Sequence, residues 1–404
     1  MTVRTGLSVR VKGPLAPYAT GVAEDLCERG YSDVSAWHHM RLFSQLSAWM
    51  EQAGLEPPEL TASEVGTFLG DRRRAAPTGL RTERTLGPML TYLRRVTAVP
   101  ELVTAPPDGP VERLLERYRD HLLRERGLVT TTAAQYLVDA RMFLRERVST
   151  SGQLELVAMN GEEVTQYVLR ECRRRSVASS KLMVTRLRSL LRFLHLVGEA
   201  PPLAEVVPMV PGWRASGLPH ALEPEQVDRL MVSCDRETAA GRRDHAMLTL
   251  LLRLGLRAGE VAALELDDFD WRSGEVIIRG KGNCQERLPL PVDVGEAVTA
   301  YVLNGRPHSH CRRLFMRARA PLGGVTSCAV KAAVRSACQR AGVTPAGAHR
   351  LRHTAATEML RAGASLVEVS QVLRHRSPAT TTIYARVDRG ALRELARPWP
   401  GSEA

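Results

Sequence analysis

The sequence predicts a mainly α-helical chain with a small antiparallel β-sheet confined to its C-terminal part (α+β). Three observations carry this reading. Apolar residues recur at the 3.6-residue helical period through most of the 404 residues. Strand-like composition appears around one place, where "GEVIIRG" and "QERLPLP" flank "KGNC". Two proline-rich stretches, "AVPELVTAPPDGP" and "EAPPLAEVVPMVPGWRASGLPH", interrupt the helical pattern, because proline blocks helix continuation and biases its predecessor away from helix. They leave an N-terminal helical domain over 1–105, a second over 111–200, a linker over 201–220 and a mixed domain over 221–404.

The first two domains repeat one plan. "LCERGYSDVSAWHHMRLFSQLSAWMEQAGL" parallels "LLRERGLVTTTAAQYLVDARMFLRERV": an "ERG" helix end, a turn, then a long amphipathic helix. "LTASEVGTFLGDRRR" parallels "AMNGEEVTQYVLRECRRR", each with a capping residue, Glu-Val and a basic triplet. A basic amphipathic helix closes each unit, which suggests a duplication. In the last domain the periodicity predicts helices over 223–234 and 241–266, then at about 293–304, 327–341, 348–362 and 365–374. "KGNC" reads as a hairpin turn. A final short helix begins at Ser377 and Pro378, a good N-cap followed by a good first-turn residue, and carries Tyr384 about two turns in.

Charge narrows the function. The net charge is +12, which favours a polyanionic partner, most simply nucleic acid. Only Lys12, Lys181, Lys281 and Lys331 among the 56 basic residues are lysines. Codon bias explains the total; a retained lysine still marks a place where a transferable proton is useful. Arginines line the later helices of both helical domains, including Arg72, Arg73, Arg74, Arg94 and Arg95 in the first. In the second, Arg173, Arg174, Arg175, Lys181, Arg186 and Arg188 are the candidate DNA contacts, through phosphate. Seven cysteines without paired spacing read as reduced thiols. "HSHC" at 308–311 lacks a second ligand pair, so no metal is expected there. No apolar run approaches membrane length, and the basic amino terminus has no apolar core; a cytoplasmic protein with no membrane partner is expected.

Four stretches carry the chemistry: "LGLRAGEVAAL" with Arg257, "RGKGNCQERLPLP" with Lys281, "HRLRHTAAT" with His349 and Arg352, and "LRHRSPATTTIYA" with His375 and Tyr384. Each alone has an innocent reading as a helix end, a turn, an exposed face or a core tyrosine. Together they supply what phosphodiester cleavage without a cofactor requires. Phosphoryl transfer rests on positioning and on neutralising charge spread over the non-bridging oxygens. Arg257 and Arg352 can clamp those oxygens, and His349, three residues before Arg352, shares its helical face. Tyr384 offers a nucleophilic hydroxyl, whose ordinary pKa near 10 calls for a proton acceptor. His349 suits that task, His375 can donate to the phosphate, and Lys281 can protonate a departing oxygen.

In order and approximate spacing these stretches resemble the motifs of the phage-integrase-type tyrosine recombinases, over about 221–390 and more loosely over 111–200. The family's "GLRxGE" box stands here as "GLRAGE", its hairpin lysine as "GKGN", its His-x-x-Arg box as "HRLRHTAAT" and its terminal box as "LRHRSPATTTIYA". The resemblance implies that Tyr384 forms a 3′-phosphotyrosyl link and releases a 5′-hydroxyl, with neither metal nor ATP. Arg257, Arg352 and His375 then hold the phosphate, His349 is the acid/base, Lys281 the general acid, and Glu260 steadies the cations. It also implies double-stranded DNA with paired sites, a homotetramer exchanging strands through a Holliday junction, and accessory DNA-bending proteins able to set direction. In the family a C-terminal segment docks in trans, and "DRGALRELARPWPGSEA" reads either as that segment or as a frayed tail. Two features depart from the pattern. Arg374 stands where the family has glycine, placing either another cation near the phosphate or a side chain in solvent. The helical 1–105 domain differs from the β-rich arm-binding domain of many phage integrases and suits a mobile-element integrase or transposase. The competing readings are a one-nick topoisomerase and a DNA-binding regulator that keeps the fold without turnover.

Overall fold

Apolar side chains gather in three main cores, each built from one stretch of the chain. The computed structural model describes residues 9–75, 83–101, 109–211, 221–280 and 285–374. Contacts divide the chain into two compact units, one comprising Met1–Glu101 with Gly217–Ala404, the other Leu102–Ser216. Both boundaries fall in the proline-rich stretches.

The N-terminal part of the first unit consists of α1 (Ala19–Glu28), α2 (Asp33–Ala53), α3 (Ala62–Ala75) and α4 (Glu83–Arg95). Phe43, Leu46, Phe68 and Leu93 are buried among them. Local chemistry sets the ends. The Ser32 hydroxyl accepts the Ser35 N–H at 3.3 Å to start α2, and Gly54, at φ +66°, ends it.

The second unit is formed by α5 (Pro110–Asp120), continued by a π-helical turn (His121–Glu125), then α6 (Thr130–Arg145), α7 (Gly161–Arg174) and α8 (Val177–Leu196). Its core includes Tyr118, Phe143, Val164 and Leu190. The capping residue read from "MNGEEV" is Asn160, whose side chain accepts the Glu163 N–H at 3.0 Å. Thr61 does the same for Glu64 in the first unit, at 3.4 Å.

The C-terminal part of the first unit holds α9 (Pro224–Val232), α10 (Ala239–Arg253), α11 (Ala258–Ala263), β1 (Phe269–Asp270), β2 (Glu275–Arg279), β3 (Gln285–Pro289), α12 (Val292–Asn304), α13 (Ser327–Arg340), α14 (Ala348–Arg361) and α15 (Leu366–Val372). The strands form a three-stranded antiparallel sheet in the order β1-β2-β3, with Phe269 opposite Val276 and Val276 opposite Leu288. These residues share one face and enter the core with Ile278. The mainly α fold with a small antiparallel sheet is therefore as the periodicity predicts.

One element differs. The helix expected over 241–266 is two helices, α10 and α11, separated at Gly255. This glycine has φ +56°, and a Cβ there would come within 2.4 Å of the Leu373 side chain. Both the backbone turn and the close approach of α15 need glycine. The break turns the next residues, Leu256 and Arg257, out of the helical path. Lys281, His375, Tyr384, the helix expected at Ser377 and the tail over 388–404 lie outside the described residues. Among the described residues no helix is long and apolar enough to cross a membrane.

Candidate active site

Arg257 is the N-cap residue of α11, in extended backbone conformation. Glu260, one turn on, reaches back to it: Arg257 N–H donates to Glu260 Oε2 at 2.8 Å and Arg257 Nη1 donates to Oε1 at 2.6 Å. The same Oε2 accepts from Nη2 of Arg374 at 2.8 Å. The Arg257 side chain is 46% exposed, whereas those of Glu260 and Arg374 are 5% and 4% exposed. Burial pushes the Glu260 pKa up, but the Arg257 N–H and the Arg374 and Arg257 charges outweigh it and hold the carboxylate below its ordinary range. Glu260 is thus an ionised carboxylate locking two cations.

Arg352 is held differently. It lies in α14 and is only 2% exposed, with Nη1 donating to the carbonyl of Gly255 and Nη2 to that of Leu373. The guanidinium ties the α10–α11 break to the end of α15. His349, one turn earlier on α14, is partly open to solvent. Partial burial lowers its pKa, and the charges of Arg352 and Arg257 act in the same direction. His353 packs edge-on against it with ring centroids 4.3 Å apart. Burial, then His349 and Arg352, push the His353 pKa down to about 4. Both imidazoles are neutral near pH 7, which suits proton acceptance at His349.

Arg257, His349 and Arg352 line one open cavity of about 610 Å³. Its opposite wall is α13, through Ser327, Lys331 and Arg335. Lys331 and Arg335 are exposed and one turn apart, so both face the opening. Motif reading passes over this wall. Its only signal is that Lys331 is one of four lysines. The cavity thus gathers Arg257, Arg352, Lys331 and Arg335 around one opening beside a neutral imidazole, a chemistry suited to an anion.

In the second unit, the candidate DNA contacts separate into two groups. Arg175 and Arg186 are 18% and 19% exposed and share the buried Asp139, at 2.9 and 2.7 Å. Arg175 also pairs with Glu171 at 3.0 Å, and Arg188 donates to the Val207 carbonyl at 2.7 Å. These three spend their charge inside the unit. Arg173 and Arg174 are exposed, and Lys181 is half-buried. His308, His310 and Cys311 stand in the loop between α12 and α13. Among the described residues no group of three or more His, Cys, Asp or Glu side chains is placed to hold a metal ion.

Residues 220–390 match the model of the phage integrase family. Over 98% of its length the chain is 39% identical to "Putative integrase/recombinase y4rA" of Sinorhizobium fredii (strain NBRC 101917 / NGR234), covering 97% of that protein. Over 71% of its length it is 32% identical to tyrosine recombinase XerD of Mycobacterium tuberculosis (strain ATCC 25618 / H37Rv), covering 96% of it. Two solved structures share the fold. A lambda integrase dimer bound to a COC' core site superposes with TM-score 0.55 at 16% identity, covering 80% of this chain and 91% of that one. XerH recombinase bound to palindromic difH substrate does so with TM-score 0.51 at 16% identity, covering 97% and 98%. The chain belongs to the phage integrase family of tyrosine recombinases and is a site-specific DNA recombinase.

Proposed function

We propose that the protein cleaves and rejoins double-stranded DNA at paired sites through a 3′-phosphotyrosyl intermediate and a Holliday junction, acting as a homotetramer in the integration, excision or transposition of a mobile element. The observation that carries this is the single cavity in which Arg257, His349 and Arg352 meet, with a second cationic wall facing them. The relatives add support: the solved neighbours include a lambda integrase tetramer bound to a Holliday junction.

In this reading the scissile phosphate lies in the cavity, its non-bridging oxygens against the guanidinium of Arg257 and the α14 residues. Tyr384 Oη attacks phosphorus, passing its proton to the neutral His349. The bond from phosphorus to the 5′ oxygen breaks, and that oxygen takes a proton from Lys281. The bond energy stays in the phosphotyrosine, so the second strand's 5′-hydroxyl can reverse the step without an external energy source. His375 donates to the phosphate. Ser327, Lys331 and Arg335 contact neighbouring phosphates along the strand. Arg173, Arg174 and Lys181, with the 1–105 domain, add sequence-independent grip.

The test uses fragmented, nicked genomic DNA from the source organism, mixed with wild type or Tyr384→Phe. After denaturation, protein-bound DNA is recovered and sequenced. Adducts with wild type only, converging on one inverted repeat, are expected. Adducts without a shared sequence would point to relaxation by nicking, and tight binding with no adduct to a regulator.

A further inference from the structure

Arg374 carries two local penalties. Its backbone has φ +54°, in the left-handed region that favours glycine. Its guanidinium is buried, and Nε has no hydrogen-bond partner among the described residues. A residue kept under such strain beside an active site is a candidate for a functional role. It does not face solvent, nor does its side chain line the cavity. Nη1 donates to the Val372 carbonyl at 3.0 Å and Nη2 to Glu260 Oε2 at 2.8 Å. Its own carbonyl lies 3.5 Å from Arg257 Nη2.

These contacts bear on Arg257. Glu260 has two oxygens, and a carboxylate facing a lone arginine tends to engage it in parallel, through both. Here Oε2 is occupied by Arg374 and by the Arg257 backbone, so of the two carboxylate oxygens only Oε1 holds the Arg257 guanidinium, beside a long contact from Nη2 to the Arg374 carbonyl. The second cation also offsets the negative charge that Glu260 would otherwise place beside an anionic substrate.

We propose that Arg374 is a positioning residue for Arg257: by holding Oε2 of Glu260 it limits that carboxylate to one contact with the Arg257 guanidinium, which keeps an open edge for the DNA phosphate. This rests on the cleavage reading given above. The Arg374 side chain is not among those lining the cavity, so its removal acts through Arg257 and Glu260.

The experiment measures single-turnover adduct formation by the full chain, at saturating nicked duplex carrying the recovered site. Wild type, Arg374→Gly and Arg374→Lys are compared, each also with Glu260→Gln. Arg374→Gly still folds, with a modestly lower melting temperature, because relief of the φ +54° strain offsets only part of the loss of one of Glu260's two cations, and DNA binding falls little. Its cleavage rate falls about tenfold, less than the 10²–10³-fold typical of removing a donor that contacts the transition state. Arg374→Lys recovers part of the rate. With Glu260→Gln in place the Arg374→Gly effect shrinks to about twofold or less, since the coupling runs through that carboxylate. A wild-type rate for Arg374→Gly, or the same loss with and without Glu260, would overturn the assignment. Absence of any adduct with wild type would instead sink the cleavage reading on which it rests.

Discussion

Arg257 and Arg352 are proposed to share one task at the phosphate, but the fold holds them in opposite ways, and methionine at each position separates chemistry from stability. Removing the Arg352 guanidinium strips the buried carbonyls of Gly255 and Leu373 of a charged donor. Each buried acceptor left unpaired costs about 1–3 kcal/mol. Relief of the buried charge offsets part of this, so Arg352→Met is expected to destabilise the C-terminal domain by roughly 2–4 kcal/mol. For a domain of this size that lowers the melting temperature by about 5–15 °C. Arg257 is 46% exposed, and Glu260 keeps Arg374 as a partner without it. Arg257→Met should therefore change stability by less than about 1 kcal/mol. Both variants lose cleavage by at least 10²–10³-fold. Thermal unfolding, with hydrogen exchange read at the α14 and α15 amides, checks the difference. Equal melting temperatures and equal exchange in the two variants would refute the claim that Arg352 braces the site.

Other expectations follow from the same geometry. With His349 proposed as the base in its neutral form and its pKa lowered from 6.5 by burial and the neighbouring arginines, single-turnover cleavage should hold its rate down to pH 6.5 and fail only at lower pH; an acid limb above 6.5 would contradict this. The unfolded chain protonates its imidazoles before the folded chain does, so stability is full above about pH 6.5 and falls as pH drops towards about 4, the value to which His353 is pushed. Denaturant midpoints across that range check the sign, and His353→Gln should flatten the loss. Lys281→Ala should be rescued on a substrate whose 5′ leaving group is a thiol, since that group needs no acid; no rescue would remove Lys281 from the general-acid role. Arg186→Ala should destabilise the second unit by roughly 2–4 kcal/mol, because Asp139 loses one of two cations. Arg174→Ala should cost less than about 1 kcal/mol, since its side chain is 70% exposed and Arg175 still holds the Glu171 carboxylate that it meets at 3.5 Å, and should reduce the salt dependence of DNA binding by about one counterion; the reverse pattern would mean that the two groups are misassigned.

Most of the helical plan was legible because burial writes the helical period into the sequence. The ranges read as 293–304 and 327–341 are α12 and α13 to within a residue. The strands flanking "KGNC" were legible because "EVIIR" concentrates β-branched residues on one side of a turn-like stretch, and Val276, Ile278 and Leu288 are the residues that enter the core. The break at Gly255 was hidden because leucines keep the helical period on both sides of it, and β1 is too short to leave a period. The motif arginines were legible as residues but not as environments. Composition reads arginine as a surface charge, whereas Arg352, Arg374, Arg175 and Arg186 are buried or nearly so and paired inside the fold. Their partners are remote in sequence: Gly255 for Arg352, Glu260 for Arg374 and Asp139 for Arg186. No local pattern encodes such pairs. The α13 wall escaped for a related reason, since an exposed Lys331 and Arg335 look like any solvated helix face until α14 is packed opposite.

The proposed mechanism requires that Tyr384 become bonded to the 3′ end of the cleaved strand. The most direct test traps the adduct on the nicked site, digests both protein and DNA, and locates the residual nucleotide by mass spectrometry. A single modified peptide containing Tyr384, joined to a 3′-phosphate, is expected, and none from Tyr384→Phe. A nucleotide on another side chain, or attachment through a 5′-phosphate, would contradict it.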